Sequence, residues 1–124
     1  MKTVTLSPLN HTWILDLDGT IVKHNGYKLD GFDTLLDGAN AFLKSLPDSD
    51  MVIIVTSRTT EYKEITENFL AEHKIRYDHI IYNAPYGERI LINDKKPSGL
   101  PTAVAMNCER DEMFDLKIEV DERL

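Results

Sequence analysis

Short apolar runs that end in acids or hydroxyls, with stretches of helical periodicity between them, constrain this chain more than any other feature. Trp13, Ile14, Leu15, Asp16 and Leu17 form one run, and Met51, Val52, Ile53, Ile54 and Val55 form another. Runs of this length bounded by polar residues read as buried strands. Between them, after Asp33 as a possible N-cap, Leu36, Ala39, Leu43 and Leu46 recur at spacings of three and four and stop at Pro47, which predicts a helix weakened by Gly38. A second helix is expected after Thr59 or Thr60, with Tyr62, Ile65, Phe69 and Leu70 on its apolar side and Glu61 and Glu64 near its positive end. Weaker strands are expected at 78–82, 89–92 and 103–107. Such β-α-β alternation predicts an α/β fold, a doubly wound and mainly parallel sheet built as one domain over residues 1–124, with no separate cap. Residues 114–120 alternate apolar and polar, which predicts an edge strand or a contact between subunits, so a homo-oligomer is one expected assembly.

Composition narrows the partners. The chain carries 14 Lys plus Arg against 21 Asp plus Glu, a formal net charge of −7, so phosphate backbones are repelled and no nucleic-acid partner is expected. Cys108 stands alone, which points to a reducing, cytoplasmic compartment. No apolar run approaches the roughly 20 residues a bilayer span needs, and residues 1–6 lack the apolar core of a secretory signal, so no membrane partner is expected.

In parallel sheets ligands gather beyond the carboxyl ends of the strands. There the sequence places Asp16-Leu17-Asp18-Gly19-Thr20, then Thr56-Ser57-Arg58, then Asn93-Asp94-Lys95-Lys96. Asp16 and Asp18, two positions apart, project to one side of a strand. Two close carboxylates call for a cation or a raised pKa, and hard oxygen ligands without His or Cys favour Mg2+. Asp94 would add a further carboxylate, with a phosphorylated ligand completing the shell. His11, His73 and His79 show no metal-ligand spacing, Trp13 reads as packing, and His24 and Tyr27 lie beside the presumed site.

These three strand-end motifs, in this order, resemble the haloacid dehalogenase (HAD) superfamily over about residues 12–97, with the first motif the most specific. The resemblance implies Asp16 as nucleophile through an aspartyl-phosphate, Asp18 as general acid and then base, and Thr56 as a donor to the phosphoryl group. It implies Asp16, Asp18, Asn93 and Asp94 around Mg2+, and Gly19, Thr20, Ser57, Arg58 and Lys95 against substrate. Asp18 and Thr56 stand 38 positions apart, as do Thr56 and Asp94, too close for an inserted cap. The layout is similar to small phosphatases of capsule and lipopolysaccharide biosynthesis, so the expectation is a magnesium-dependent phosphomonoester hydrolase acting on a sugar phosphate or glycan intermediate.

The chain departs from that pattern at Ala84, where the family carries a lysine, and at Asn93, where an Asp is common. Lys96, or else Lys95, is expected to replace the missing charge. The rival expectation is a catalytically weak module that binds a phosphorylated ligand or a partner protein. A receiver-type signalling domain is disfavoured, because Thr56 stands where its acceptor aspartate would follow the central strand.

Overall fold

The computed structural model describes residues 2–112 and 115–124. It is an α/β fold with parallel strands in two sheets. Strand β1 (Lys2–Leu6) pairs in parallel with β5 (Leu116–Val120). Strands β2 (Thr12–Asp16), β3 (Met51–Val55) and β4 (His79–Ile81) form the second sheet, in that order and all parallel. Helices α1 (Gly26–Leu29) and α2 (Ala39–Ser45) connect β2 to β3. A 3-10 turn (Thr60–Tyr62) leading into α3 (Lys63–Glu72) connects β3 to β4.

The two apolar runs form β2 and β3 because alternate residues enter one core. Leu15, Val52 and Ile54 are buried with Leu17, Ile21, Val22, Leu43, Leu46, Leu70 and Ile75, and Ile80 packs against them. This is the expected source of stability, since each fully buried aliphatic side chain contributes roughly 1.5–3 kcal/mol. The other face of the sheet carries exposed Ile14, Met51 and Ile81 beside half-buried Ile53 and Val55, so among the described residues this face is the less covered one.

The two helices fall within the expected stretches, α2 ending just before Pro47 and α3 burying Leu70. Ile65, expected on the buried side of α3, is exposed, and Thr66 is buried in its place. Three expectations are corrected. Among the described residues, neither 89–92 nor 103–107 forms a strand; Ile90 and Ile92 are 82% and 90% exposed, because an apolar run alone cannot form a strand without a partner edge. Strand order runs β2-β3-β4 without reversal, so the doubly wound layout with a switch point is absent among the described residues. Strand β1 adds an element that the apolar runs do not announce. The alternating tail does form a strand, β5, although Phe114, where the alternation starts, lies outside the described residues.

No helix among the described residues is long and apolar enough to cross a membrane.

Candidate functional site

The carboxyl ends of β2 and β3 bring together most of the expected residues, in an arrangement the spacing does not foretell. Asp18 follows β2, and the chain then turns sharply: Ile21 N and Val22 N both donate to Leu17 O (2.9 and 3.1 Å), and Gly19 N donates to Val22 O (2.7 Å). Gly19 takes a φ of 85°, and a Cβ there would lie 3.3 Å from the Arg110 side chain, so glycine suits both the conformation and the space. Thr20 N donates to Leu17 O (3.3 Å). The backbone donors of Gly19 and Thr20 are thus spent on the turn, not presented to a phosphate.

At the centre lies Arg58, whose side chain is 1% exposed. Its Nε donates to Asp18 Oδ2 (3.1 Å), and its Nη2 to Asp18 Oδ1 (2.9 Å) and Asp33 Oδ1 (2.7 Å). Its Nη1 donates to Asp33 Oδ2 (3.0 Å) and Thr66 Oγ1 (2.9 Å). A guanidinium has five N–H donors, and all five are satisfied. Tyr27 covers the group, with its ring centroid 3.9 Å from Arg58 Cζ, and Tyr27 is in turn braced edge-on by Tyr62 at 4.9 Å. Burial pushes the guanidinium pKa down, but the hydrogen bonds and charges of Asp18 and Asp33 outweigh it and raise the pKa above its usual range. Burial likewise raises the Tyr27 phenol.

This node changes what the expected residues do. Asp18 engages Arg58 through both oxygens, which anchors the turn. Arg58 is a buried clamp, not a surface contact for substrate. Thr56 is buried, and its hydroxyl accepts a hydrogen bond from Arg58 N (3.1 Å). Ser57 Oγ is 3.4 Å from Pro85 O, which accepts its hydrogen bond.

Asp16, at the end of β2, is different. Its side chain is 43% exposed, and Arg89 Nη1 donates to its Oδ1 at 2.9 Å. Ala84, where the resemblance expects a lysine, does reach this end of the sheet, its N–H donating to Thr56 O (3.1 Å). The remaining expected residues belong to an exposed loop that binds to itself. Asn93 Nδ2 donates to Thr102 O (3.2 Å), the Thr102 hydroxyl donates to the Asp94 carbonyl, and Lys96 N donates to Leu100 O (3.1 Å). Lys95 is exposed on the same loop. The expected Mg2+ set of Asp16, Asp18, Asn93 and Asp94 is therefore not gathered, and among the described residues no three His, Cys, Asp or Glu side chains cluster to hold a metal.

Sequence reasoning placed Tyr27 beside this region but not against Arg58, and missed Asp33, Thr66 and Arg89 as parts of it. Asp33 reads as a helix cap, and Arg89 only as the flank of an apolar run. No spacing rule links them, since the contacts join positions 25, 31, 8 and 73 residues apart.

Comparison with known proteins then redirects the reading. No protein-family model and no curated protein matches the chain. Two solved structures do. One is of the Pnkp1/Rnl/Hen1 complex, 30% identical with a TM-score of 0.53, covering 67% of this chain and 31% of the matched chain. The other is of the Pnkp1/Rnl/Hen1 RNA repair complex, 28% identical with a TM-score of 0.53, covering 72% of this chain and 30% of the matched one. The chain thus spans about a third of the length of the chains it matches.

These likenesses overturn the resemblance to a HAD phosphatase of capsule or lipopolysaccharide synthesis, and with it the sugar-phosphate or glycan substrate, the polysaccharide setting and the expectation of no nucleic acid. What the chain resembles works in RNA repair. Net charge is a whole-chain sum and does not decide a local surface: Arg89, Lys95 and Lys96 against Asp94 leave residues 89–96 locally basic. The rival of a weak binding module fares no better.

Proposed function

We propose that this chain serves RNA repair, and that its strand-end site acts as a phosphoric monoester hydrolase on the phosphate of an RNA end. The observation that carries the reading is the likeness, at 28–30% identity, to chains of an RNA repair complex. Asp16 supports the chemistry: it is the strand-end carboxylate open to solvent, while Asp18 and Asp33 are bound to Arg58. Arg89 supports the substrate class, because a guanidinium held, among the described residues, by one exposed carboxylate can transfer to a phosphate oxygen. The uncovered position of the pair suits the end of a polymer better than a small molecule that must be enclosed. In this reading Mg2+ enters with the bound phosphate and is met by Asp16, the more exposed of the two strand-end carboxylates, as magnesium often binds through one or two carboxylates and substrate oxygens. A reducing, cytoplasmic setting accords with the lone, exposed Cys108.

The test is release of phosphate from short RNAs bearing a 3′- or a 5′-phosphate, with and without Mg2+, against sugar phosphates as controls. Release from RNA that vanishes in Asp16→Asn is expected. Release by the folded Asp16→Asn variant at the parent rate, or none from either RNA, overturns the proposal.

A further inference from the structure

The segment that follows β4 returns to the carboxyl end of β3 and is held there. Asn83 N donates to Arg58 O (2.8 Å), Ala84 N to Thr56 O (3.1 Å), and Ser57 Oγ to Pro85 O (3.4 Å). Four residues after Pro85, Arg89 Nη1 donates to Asp16 Oδ1 (2.9 Å), and Asp16 is the register partner of Val55 at the end of β3. Tyr86 is therefore tethered on both sides at the strand end, its Cα about 3.8 Å from that of Pro85 and at most about 11 Å from that of Arg89. Its ring is turned out to solvent, 88% exposed, and a Cβ added at the adjoining Gly87 would meet nothing within 4 Å. Tyr27 and Tyr62, paired edge to face, belong to the same neighbourhood: the phenols of Tyr27, foremost, and of Tyr62 and Tyr86 raise the Lys28 pKa above its ordinary value. Lys28 Nζ lies 5.6 Å from the Tyr27 ring centroid.

We propose that Tyr86 stacks the terminal base of a single-stranded RNA end whose phosphate lies at Asp16 and Arg89. The inference rests on the reading of the strand end as an RNA-end phosphatase and adds to it how the polymer is held. Three observations carry it. The tether to Arg89 keeps the ring within the reach of one nucleotide, which joins a phosphate at one end to a flat base at the other. The ring is open, and bases stack on exposed aromatic faces with little regard to sequence, which suits a site without enclosing walls to read base edges. Lys28, beside the tyrosines, supplies a cation for a further phosphate of the strand. Tyr27 cannot take this part, because its ring lies 3.9 Å from Arg58 Cζ and is braced by Tyr62. Flanked in sequence by Gly87 and Glu88, the Tyr86 ring offers a planar face and not the wide apolar patch that a protein partner buries.

The test is an anisotropy titration of the full chain with short oligoadenylates phosphorylated at the 3′ or the 5′ end and labelled at the other, without Mg2+ so that binding is read apart from turnover. Saturable binding of one of them is expected. Tyr86→Ala should weaken it at least about fivefold, the low end of what one stacked base is worth. Tyr86→Leu, which keeps apolar bulk without a ring, should weaken it as much, and Tyr86→Phe should stay within about twofold of the parent, since the stacking face is kept. Removing the base at the phosphorylated end should weaken the parent by the same factor and leave Tyr86→Ala with no further loss, as two groups in contact require. Binding of neither oligoadenylate overturns the proposal. So does Tyr86→Ala or Tyr86→Leu binding like the parent, or Tyr86→Ala losing as much on the abasic RNA as on the intact one. Phosphate release, measured with Mg2+ on the same preparations, keeps the two readings apart: binding that depends on Tyr86 without release supports the stacking and overturns the phosphatase, whereas release with binding indifferent to Tyr86 overturns the stacking alone.

Discussion

Two arginine–aspartate regions stand within a few residues of one strand end and differ in nearly every physical respect. Around Arg58, two carboxylates, a threonine hydroxyl and a tyrosine ring enclose a guanidinium that is 1% exposed with all five donors used. Around Arg89, a single hydrogen bond joins two side chains exposed by 38% and 43%. The difference teaches that Asp16 and Asp18, two positions apart and alike in sequence, are sorted by their partners. The buried pair holds the chain in place, and the open pair remains free to exchange partners.

The sharpest way to break this comparison is to remove the buried arginine. Arg58→Ala leaves Asp18 and Asp33 facing each other at a desolvated site, and loss of one partner from a buried charge network costs about 3–5 kcal/mol. Urea unfolding should register a drop of that size. Arg58→Lys is expected to recover little, because an ammonium cannot reproduce two bidentate pairs or stack on Tyr27. A lysine variant as stable as the parent would mean the node is ordinary surface electrostatics.

A smaller effect is expected at Asp50, which anchors the opposite end of the same sheet. Burial raises its pKa, but the hydrogen bonds from Trp13 and His11, with the nearby His11 and Arg76 charges, outweigh this and hold the carboxyl below its ordinary 3.8. A folded-state pKa below the unfolded one means the stabilisation is fully present above 3.8 and is lost as pH falls through the folded value. Asp50→Ala should cost about 1–3 kcal/mol at neutral pH, the cost of stranding buried donors, and should flatten the fall of stability below pH 4 measured by urea unfolding across an acid series. Smaller again is Tyr82→Phe, which removes the bond from Tyr82 Oη to Glu67 Oε2 (3.0 Å). The expected loss by the same unfolding measurement is about 0.5–1.5 kcal/mol.

What is legible in the sequence follows the same division. The apolar runs at β2 and β3 and the three-and-four spacing of α2 announce themselves, because local periodicity is what burial of one face requires. Asp16, Asp18, Thr56 and Arg58 are expected together at one strand end and are together. Their roles are not legible, since what Asp18 does is decided by Arg58, 40 positions away, and what Arg58 does by Asp33, Thr66 and Tyr27. The run Ile90, Leu91 and Ile92 reads as a strand from composition alone, yet it pairs with no edge among the described residues, and so Asn93, Asp94, Lys95 and Lys96 are not carried to the sheet. Strand β1 escapes notice because its partner, β5, lies more than a hundred residues along the chain.

The open pair gives the smallest expected effect on stability and the most specific one on function. Exposed ion pairs contribute about 0–1 kcal/mol and are screened by salt, so Arg89→Ala should leave unfolding within about 0.5 kcal/mol of the parent. Arg58→Ala, by contrast, acts on the fold. If Arg89 leaves Asp16 for the phosphate of an RNA end, its loss should weaken RNA engagement, raising KM for the phosphorylated RNA about tenfold, the worth of one charge-assisted contact of about 1.4 kcal/mol. Raising salt should weaken the parent more than the variant, because the variant has one fewer cation to screen. Arg89→Lys should restore part of the binding, since a point charge still meets phosphate. A variant that loses stability while RNA turnover keeps its KM would place Arg89 with Arg58, as scaffold, and erase the distinction between the two pairs.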